Sequence, residues 1–157
     1  MTCRSLSRAD VDAVLQLELA SSAFPWRTRL AFRKYALQGR GLVLADADAI
    51  VGYALTERRG DQLLLVKMAV HPDHRRRGYG GRLLREVVRL ARRDPAITQI
   101  RLHVRESNTA ALALYLTHGY RIVETIDRYY RKTGTTPSEK RALTMMRPVA
   151  SRKRREP

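Results

Sequence analysis

Val70-His71-Pro72-Asp73-His74-Arg75-Arg76-Arg77-Gly78-Tyr79-Gly80-Gly81-Arg82-Leu83-Leu84 decides how the rest of the chain is read. An apolar run, Leu63 to Val70, leads into it, and an amphipathic pattern leaves it from about Gly80. A strand feeding a glycine-rich turn and a helix N-terminus gathers unpaired backbone N–H groups at the positive end of a helix dipole, so the stretch predicts an anion site with phosphate as its guest. A P-loop requires lysine and a hydroxyl residue directly after its last glycine, whereas Gly81 is followed by Arg82-Leu83. A dinucleotide fingerprint requires a third glycine at position 83, which is leucine, and a parallel sheet.

Upstream of this stretch, Ser7 and Asp10 offer a capping pair for a helix in which Val11, Val14, Leu15 and Leu19 recur at helical spacing through Ala20. Phe24-Pro25-Trp26 stops that helix and leaves two aromatics on a loop, either as a contact surface or as a lid packed on the core. Arg27 to Gln38 predicts a second helix, closed by Gly39 and Gly41. Leu42 to Ala45, Ile50 to Leu55 and Leu63 to Val70 then read as three consecutive strands with turns at Asp46-Ala47-Asp48 and Gly60-Asp61, which argues for an antiparallel core. Downstream, Gly80 to Arg93 predicts a helix burying Leu83, Leu84, Val87, Val88 and Ala91. Gln99 to Arg105 alternates, with Ile100, Leu102 and Val104 on one face and His103 on the polar one. Ser107 or Asn108 caps a helix running to His118 and ending at Gly119, which places Asn108 and Tyr115 on one stripe. Tyr120 to Ile126 is a strand, Arg128 to Arg131 continues or leaves it, Thr133 to Ser138 is a loop, and Arg141 to Met146 closes the sheet.

The 157 residues fit one domain over 1-150, followed by a basic tail, 151-157, expected to be disordered. No apolar run approaches the roughly 18 residues of a membrane span, and Arg4, Arg8, Asp10 and Asp12 interrupt any signal-peptide core, so a soluble, cytoplasmic protein is expected, with no membrane partner. Cys3 stands alone in a start that reads as flexible, and no metal site is expected. The net charge of +16 would attract polyanions such as RNA, and an arginine-rich solvated surface accounts for it equally well.

Met68-Ala69-Val70-His71-Pro72, Arg75-Arg76-Arg77-Gly78-Tyr79-Gly80, Leu102-His103-Val104-Arg105-Glu106-Ser107-Asn108, and Ala113-Leu114-Tyr115 before Gly119-Tyr120, taken in this order, resemble the GNAT acetyltransferase superfamily. Within it the chain is most similar to the ribosomal-protein-alanine (RimI-like) and related protein N-terminal acetyltransferases. The resemblance implies an α+β GNAT fold, a mixed, mostly antiparallel central sheet with helices on both faces. It implies acetyl-CoA as cosubstrate, held in a V-shaped opening between the strand ending at Val70 and the strand through His103. Main-chain groups of Met68, Ala69 and Val70 would meet the pantetheine arm. Arg75, Arg76, Arg77, Gly78, Tyr79, Gly80 and Gly81 would hold the pyrophosphate, and Asn108 would contact the cofactor. Phe24, Pro25, Trp26, Tyr129 and Tyr130 would grip the acceptor.

By the same resemblance Tyr115 is the general acid. Bacterial members usually carry a glutamate as general base where this chain has His103, while some eukaryotic members carry a histidine there, which makes His103 the candidate base, with Glu106 ranked below it. A lysine side chain costs about 3.5 kcal/mol more to deprotonate than an α-amine, which favours a protein N-terminus as acceptor, in the resemblance a ribosomal protein or the ribosome. A lysine or small-molecule amine acetyltransferase, and a non-catalytic basic module binding RNA or the ribosome while holding acyl-CoA, are the alternatives.

Overall fold

A computed structural model describes residues 1–150, and the tail expected over 151–157 lies outside the described residues. Seven strands form a mixed, mostly antiparallel sheet in an α+β fold. The chain divides into two compact units, one comprising residues 1–57 and 65–86, the other 58–64 and 87–150.

In the first unit the strand order is β1 (Thr2–Ser5), β2 (Gly41–Asp46), β3 (Ala49–Arg59) and β4 (Gln62–Val70). Residues 2–5, expected to be an irregular start, are a strand because β2 offers them an antiparallel edge from Thr2↔Ala45 to Ser5↔Leu42. Four residues of mixed polarity carry no period, so only the partner reveals them. Helix α1 (Val11–Ser21) follows a helical turn at Arg8–Asp10, and α2 (Arg29–Leu37) ends at Gly39, whose φ of +63° is the left-handed stop expected of it. Leu6, Val11, Val14, Leu17, Phe32, Tyr35, Val43, Tyr53 and Leu55 form this unit's core, with the Phe32 and Tyr53 rings edge-on at 5.6 Å. Glycine fits closely at position 52. A Cβ there would stand 3.1 Å from Leu83 Cδ1 and 3.2 Å from the Ala69 carbonyl oxygen, so a larger residue needs these neighbours to give by a few tenths of an ångström.

In the second unit the order is β4, β5 (Gln99–Arg105), β7 (Ala142–Pro148) and β6 (Arg121–Ile126). The β4–β5 pairing is parallel and short, Gln62↔Gln99 to Leu64↔Arg101, whereas β5 pairs with β7 antiparallel over seven positions, from Gln99↔Pro148 to Arg105↔Ala142. The last strand therefore inserts between β5 and β6 rather than closing an edge. The segment expected as a loop over 133–138 runs instead into a short helical turn, α5 (Pro137–Lys140), because Thr136 and Glu139 cap it reciprocally, with Pro137 at its first position. Helix α3 (Tyr79–Arg93) joins β4 to β5 and buries Leu83, Leu84, Val87, Val88 and Ala91 as its pattern predicts. Helix α4 (Thr109–Thr117) is capped by Asn108 and stopped at Gly119, φ +84°. Among the described residues no helix is long and apolar enough to cross a membrane.

The start of α1 shows how arginine is used structurally here. Arg4 holds both oxygens of the buried Asp10 carboxylate, at 2.7 and 2.8 Å, and Ser7 adds a backbone and a hydroxyl donor. The hydrogen bonds from Arg4, then those from Ser7, hold the Asp10 carboxyl well below the ordinary carboxylate range against the opposing effect of burial. Asp10→Asn should lower stability at pH 7 by about 1–3 kcal/mol in denaturant unfolding, the usual cost of weakening bonds to a charged, largely buried group. Since the unfolded state takes up this proton first as pH falls, the native advantage is full above pH 4 to 5. It is lost below that, and the variant's stability should fall less steeply on acidification.

Candidate active site

The glycine-rich stretch forms a turn at Pro72–His74 and a loop entering α3. Arg76 (φ +58°) and Gly78 (φ +78°) take left-handed conformations, and a Cβ at Gly78 would meet nothing within 4 Å. The first bond of α3 is Arg82 N–H to the Gly78 carbonyl at 3.1 Å. Among the described residues the N–H groups of Tyr79, Gly80 and Gly81, in the first turn of α3, meet no protein acceptor. These donors and two exposed arginines, Arg76 and Arg77, suit a pyrophosphate, so the residues present fit acetyl-CoA. Tyr79 and Gly80 are partly exposed, and Gly81 is buried.

Arg75 is placed differently. Its guanidinium donates to the Val70 carbonyl at 3.2 Å and the Ser21 carbonyl at 2.8 Å, bracing the end of β4 against the end of α1. Met68, Ala69 and Val70 follow the three residues of β4 that pair with β5, so this ladder makes no claim on their backbone groups. The loop after α1 puts Phe24, Pro25 and Trp26 in half-buried positions. The Trp26 ring packs 5.8 Å from Phe32 and 6.1 Å from Tyr35, so this segment is both a lid on its unit's core and a partly open surface.

In the second unit, His103, Tyr129 and Tyr130 come together. The imidazole lies 4.9 Å from the Tyr129 ring, which lies 4.9 Å from the Tyr130 ring. Arg128 (φ +53°) turns the chain out of β6, so residues 128–131 leave the strand. The Tyr130 backbone N–H donates to the Lys140 carbonyl at 3.0 Å, and the Arg105 guanidinium stacks 3.8 Å over the Tyr130 ring. Arg105 also donates to the Glu139 carbonyl and the Thr133 hydroxyl. Arg141 ties Asp127 (2.6 Å) to Glu106 (2.7 Å). Glu106 is thus an ion-pair partner of Arg141.

His103 stands opposite Thr144 across the β5–β7 ladder, with Nδ1 3.0 Å from Thr144 Oγ1. Partial burial first, and Arg101 second, hold its pKa below the ordinary imidazole value, with Glu124 opposing. Tyr115 is buried on α4, its ring 5.7 Å from that of Tyr120. Burial, then Tyr120 and Tyr130, push its phenol well above 10, so it remains a proton donor at neutral pH. Asn108, which is exposed, uses its Oδ1 to accept from the Ala111 N–H at 3.2 Å.

Sequence reading alone missed Arg105 and Thr144, which hold Tyr130 and His103 in place. Arg105 was visible as a strand and motif residue with no role attached, and Thr144 acquires meaning only through strand register.

The chain matches the Acetyltransferase (GNAT) family over residues 11–120. It is 32% identical over 149 residues to the [Ribosomal protein bS18]-alanine N-acetyltransferase of Salmonella typhimurium, covering 95% of this chain and 98% of that one. It is 35% identical over 141 residues to the N-alpha-acetyltransferase RimI of Mycobacterium tuberculosis, covering 85% of this chain and 87% of that one. The crystal structure of the ribosomal-protein-S18-alanine N-acetyltransferase from Escherichia coli superposes with a TM-score of 0.84 at 27% identity, over 99% of this chain and 98% of that one. The chain therefore belongs to the acetyltransferase (GNAT) family and is an N-acetyltransferase whose donor is acetyl-CoA.

Proposed function

We propose that this enzyme acetylates the α-amino group of a protein N-terminus, and that its acceptor is a ribosomal protein. The observation that carries the acceptor half is the aromatic corner of His103, Tyr129 and Tyr130. Aromatic faces braced by Arg105 flank an extended peptide start well, with an imidazole beside them to take a proton. The relatives named for the alanine N-terminus of ribosomal protein bS18 support the same acceptor class.

Acetyl-CoA supplies an activated thioester carbonyl and a thiolate leaving group. The N–H groups of residues 76–81, with Arg76 and Arg77, bind its pyrophosphate, and the backbone of Met68, Ala69 and Val70 aligns its pantetheine arm. Asn108 contacts it through its side-chain amide. Phe24, Pro25, Trp26, Tyr129 and Tyr130 hold the peptide. As the new C–N bond forms and the C–S bond breaks, the attacking nitrogen loses a proton and the departing sulfur gains one. His103, with Nδ1–H donated to Thr144, takes the first proton on Nε2, and Tyr115 supplies the second. The low imidazole pKa keeps the base ready at neutral pH, and the nitrogen becomes strongly acidic as it is acylated. This offsets the gap to an α-amine near 7.7–8.0.

A panel of peptides differing at the first residue, incubated with acetyl-CoA and read by mass, should show acetylated α-amines and a preference for alanine; acetylation of lysine side chains alone would overturn the proposal. Tyr115→Phe should lower kcat about 10²-fold or more with the KM for acetyl-CoA little changed. The pH profile of kcat/KM should show an amine limb at about 7.7–8.0 and a second limb below 6.5 from His103, whose neutral form is lost as pH falls through its lowered pKa. His103→Gln should keep the first limb and lose the second.

A ribosomal acceptor also gives the surface charge a use. Arg85, Arg89, Arg92 and Arg93 are exposed along α3, and three of the sixteen net positive charges belong to residues 151–157. We infer that this basic surface contacts RNA and draws the enzyme to ribosomes in the cytoplasm. Affinity for an RNA oligomer should fall steeply between 50 and 200 mM salt. Joint replacement of Arg85, Arg89 and Arg92 by serine should weaken that affinity while leaving acetylation of a free peptide intact.

A further inference from the structure

Within the first unit several elements converge on a carboxylate that the proposed chemistry does not use. Glu18 of α1 has no exposed surface. Its Oε1 accepts from Lys67 Nζ at 2.8 Å and from the Trp26 backbone N–H at 3.0 Å, while Oε2 accepts from the Tyr53 hydroxyl at 2.5 Å. The Lys67 ammonium also lies 5.1 Å from the centre of the Trp26 ring. Burial, reinforced by Glu18, pushes the Tyr53 phenol far up, so it stays a donor to the carboxylate.

Removing a carboxylate from water costs several kcal/mol, and well-packed apolar side chains would fill the same space at equal or better stability. Such a group is a costly way to build a core and an effective way to fix a direction. Here the direction is that of a loop backbone. We propose that Glu18 is a positioning residue for the acceptor: it orients Phe24-Pro25-Trp26 through the Trp26 N–H, with Lys67 as its counter-charge and Tyr53 locking its second oxygen. Lys67 immediately precedes Met68, so the same carboxylate ties the acceptor segment to the strand whose end is assigned to the pantetheine arm. The inference rests on reading Phe24-Pro25-Trp26 as acceptor-binding.

The test uses Tyr53→Phe, Glu18→Gln and Glu18→Ala, with Phe24→Ala as a probe of the segment itself. KM is measured separately for an alanine-starting peptide and for acetyl-CoA. Trp26 is the chain's one tryptophan, so its emission and acrylamide quenching report this loop alone. Tyr53→Phe and Glu18→Gln should raise the peptide KM roughly tenfold, leave the acetyl-CoA KM within about twofold, and make Trp26 easier to quench, since small misplacements of a positioning group carry large kinetic penalties. Glu18→Gln, which still accepts from the Trp26 N–H, should be milder than Glu18→Ala. If Phe24→Ala raises the peptide KM while Tyr53→Phe and Glu18→Gln change neither it nor the quenching, the positioning role is wrong and the acceptor reading survives. If Phe24→Ala also has no effect, the acceptor reading itself fails. Equal changes in both KM values alongside a lowered melting temperature would reduce Glu18 to a structural group and overturn the proposal. Should the Glu18 variants not fold, Tyr53→Phe, which removes a single oxygen, decides between these outcomes.

Discussion

A peptide N–H withdrawn from water must find an acceptor, and along the ladders from β1 to β7 it finds one on a neighbouring strand. At the entry to α3 it does not. Among the described residues the donors of Tyr79, Gly80 and Gly81 meet no protein oxygen, and Arg76 and Gly78 turn the backbone left-handed just before the helix begins. Strand β4 delivers the chain to that loop, Arg75 braces the delivery point on α1 and β4, and Gly52 lets β3 lie close beneath it. Much of the first unit can thus be understood as support for a short run of unsatisfied backbone.

The acid and base assigned to the reaction share one physical cause for opposite shifts. Burial disfavours whichever form of a group is charged, which lowers the pKa of His103 and raises that of Tyr115. Both are therefore neutral near pH 7, the base able to accept and the acid able to donate. Neither needs a buried counter-ion. Of the charged groups nearby, Arg101 and Glu124 act on His103 in opposite senses, while Arg141 between Asp127 and Glu106, and Arg105 over Tyr130, serve as braces.

What was legible in the sequence follows from how local the information is. The alternation of Ile100, Leu102 and Val104 gave β5 with its observed bounds, and the capping Asn108 and left-handed Gly119 bracketed α4, because each signal lies within a few residues of its effect. The place of β7 between β5 and β6, and the pairing of residues 2–5, depend on partners elsewhere in the chain. The same holds for side chains. Tyr115 and His103 stood out through their motif neighbours, whereas Glu18 lies 35 residues from Tyr53 and looks like one more polar residue on an amphipathic helix. His103 could be named as a base from its strand face, but the hydroxyl that orients it waited on the register that sets Thr144 opposite.

Position 52 has a consequence for how the protein can vary. Its glycine touches no substrate in any role assigned above, yet a single methyl group there would press on the Ala69 carbonyl and the Leu83 side chain and require a shift of a few tenths of an ångström. That carbonyl belongs to the strand end assigned to the pantetheine arm. A larger residue at this site would therefore act first on the strand end assigned to the donor, although the position itself holds no reacting group.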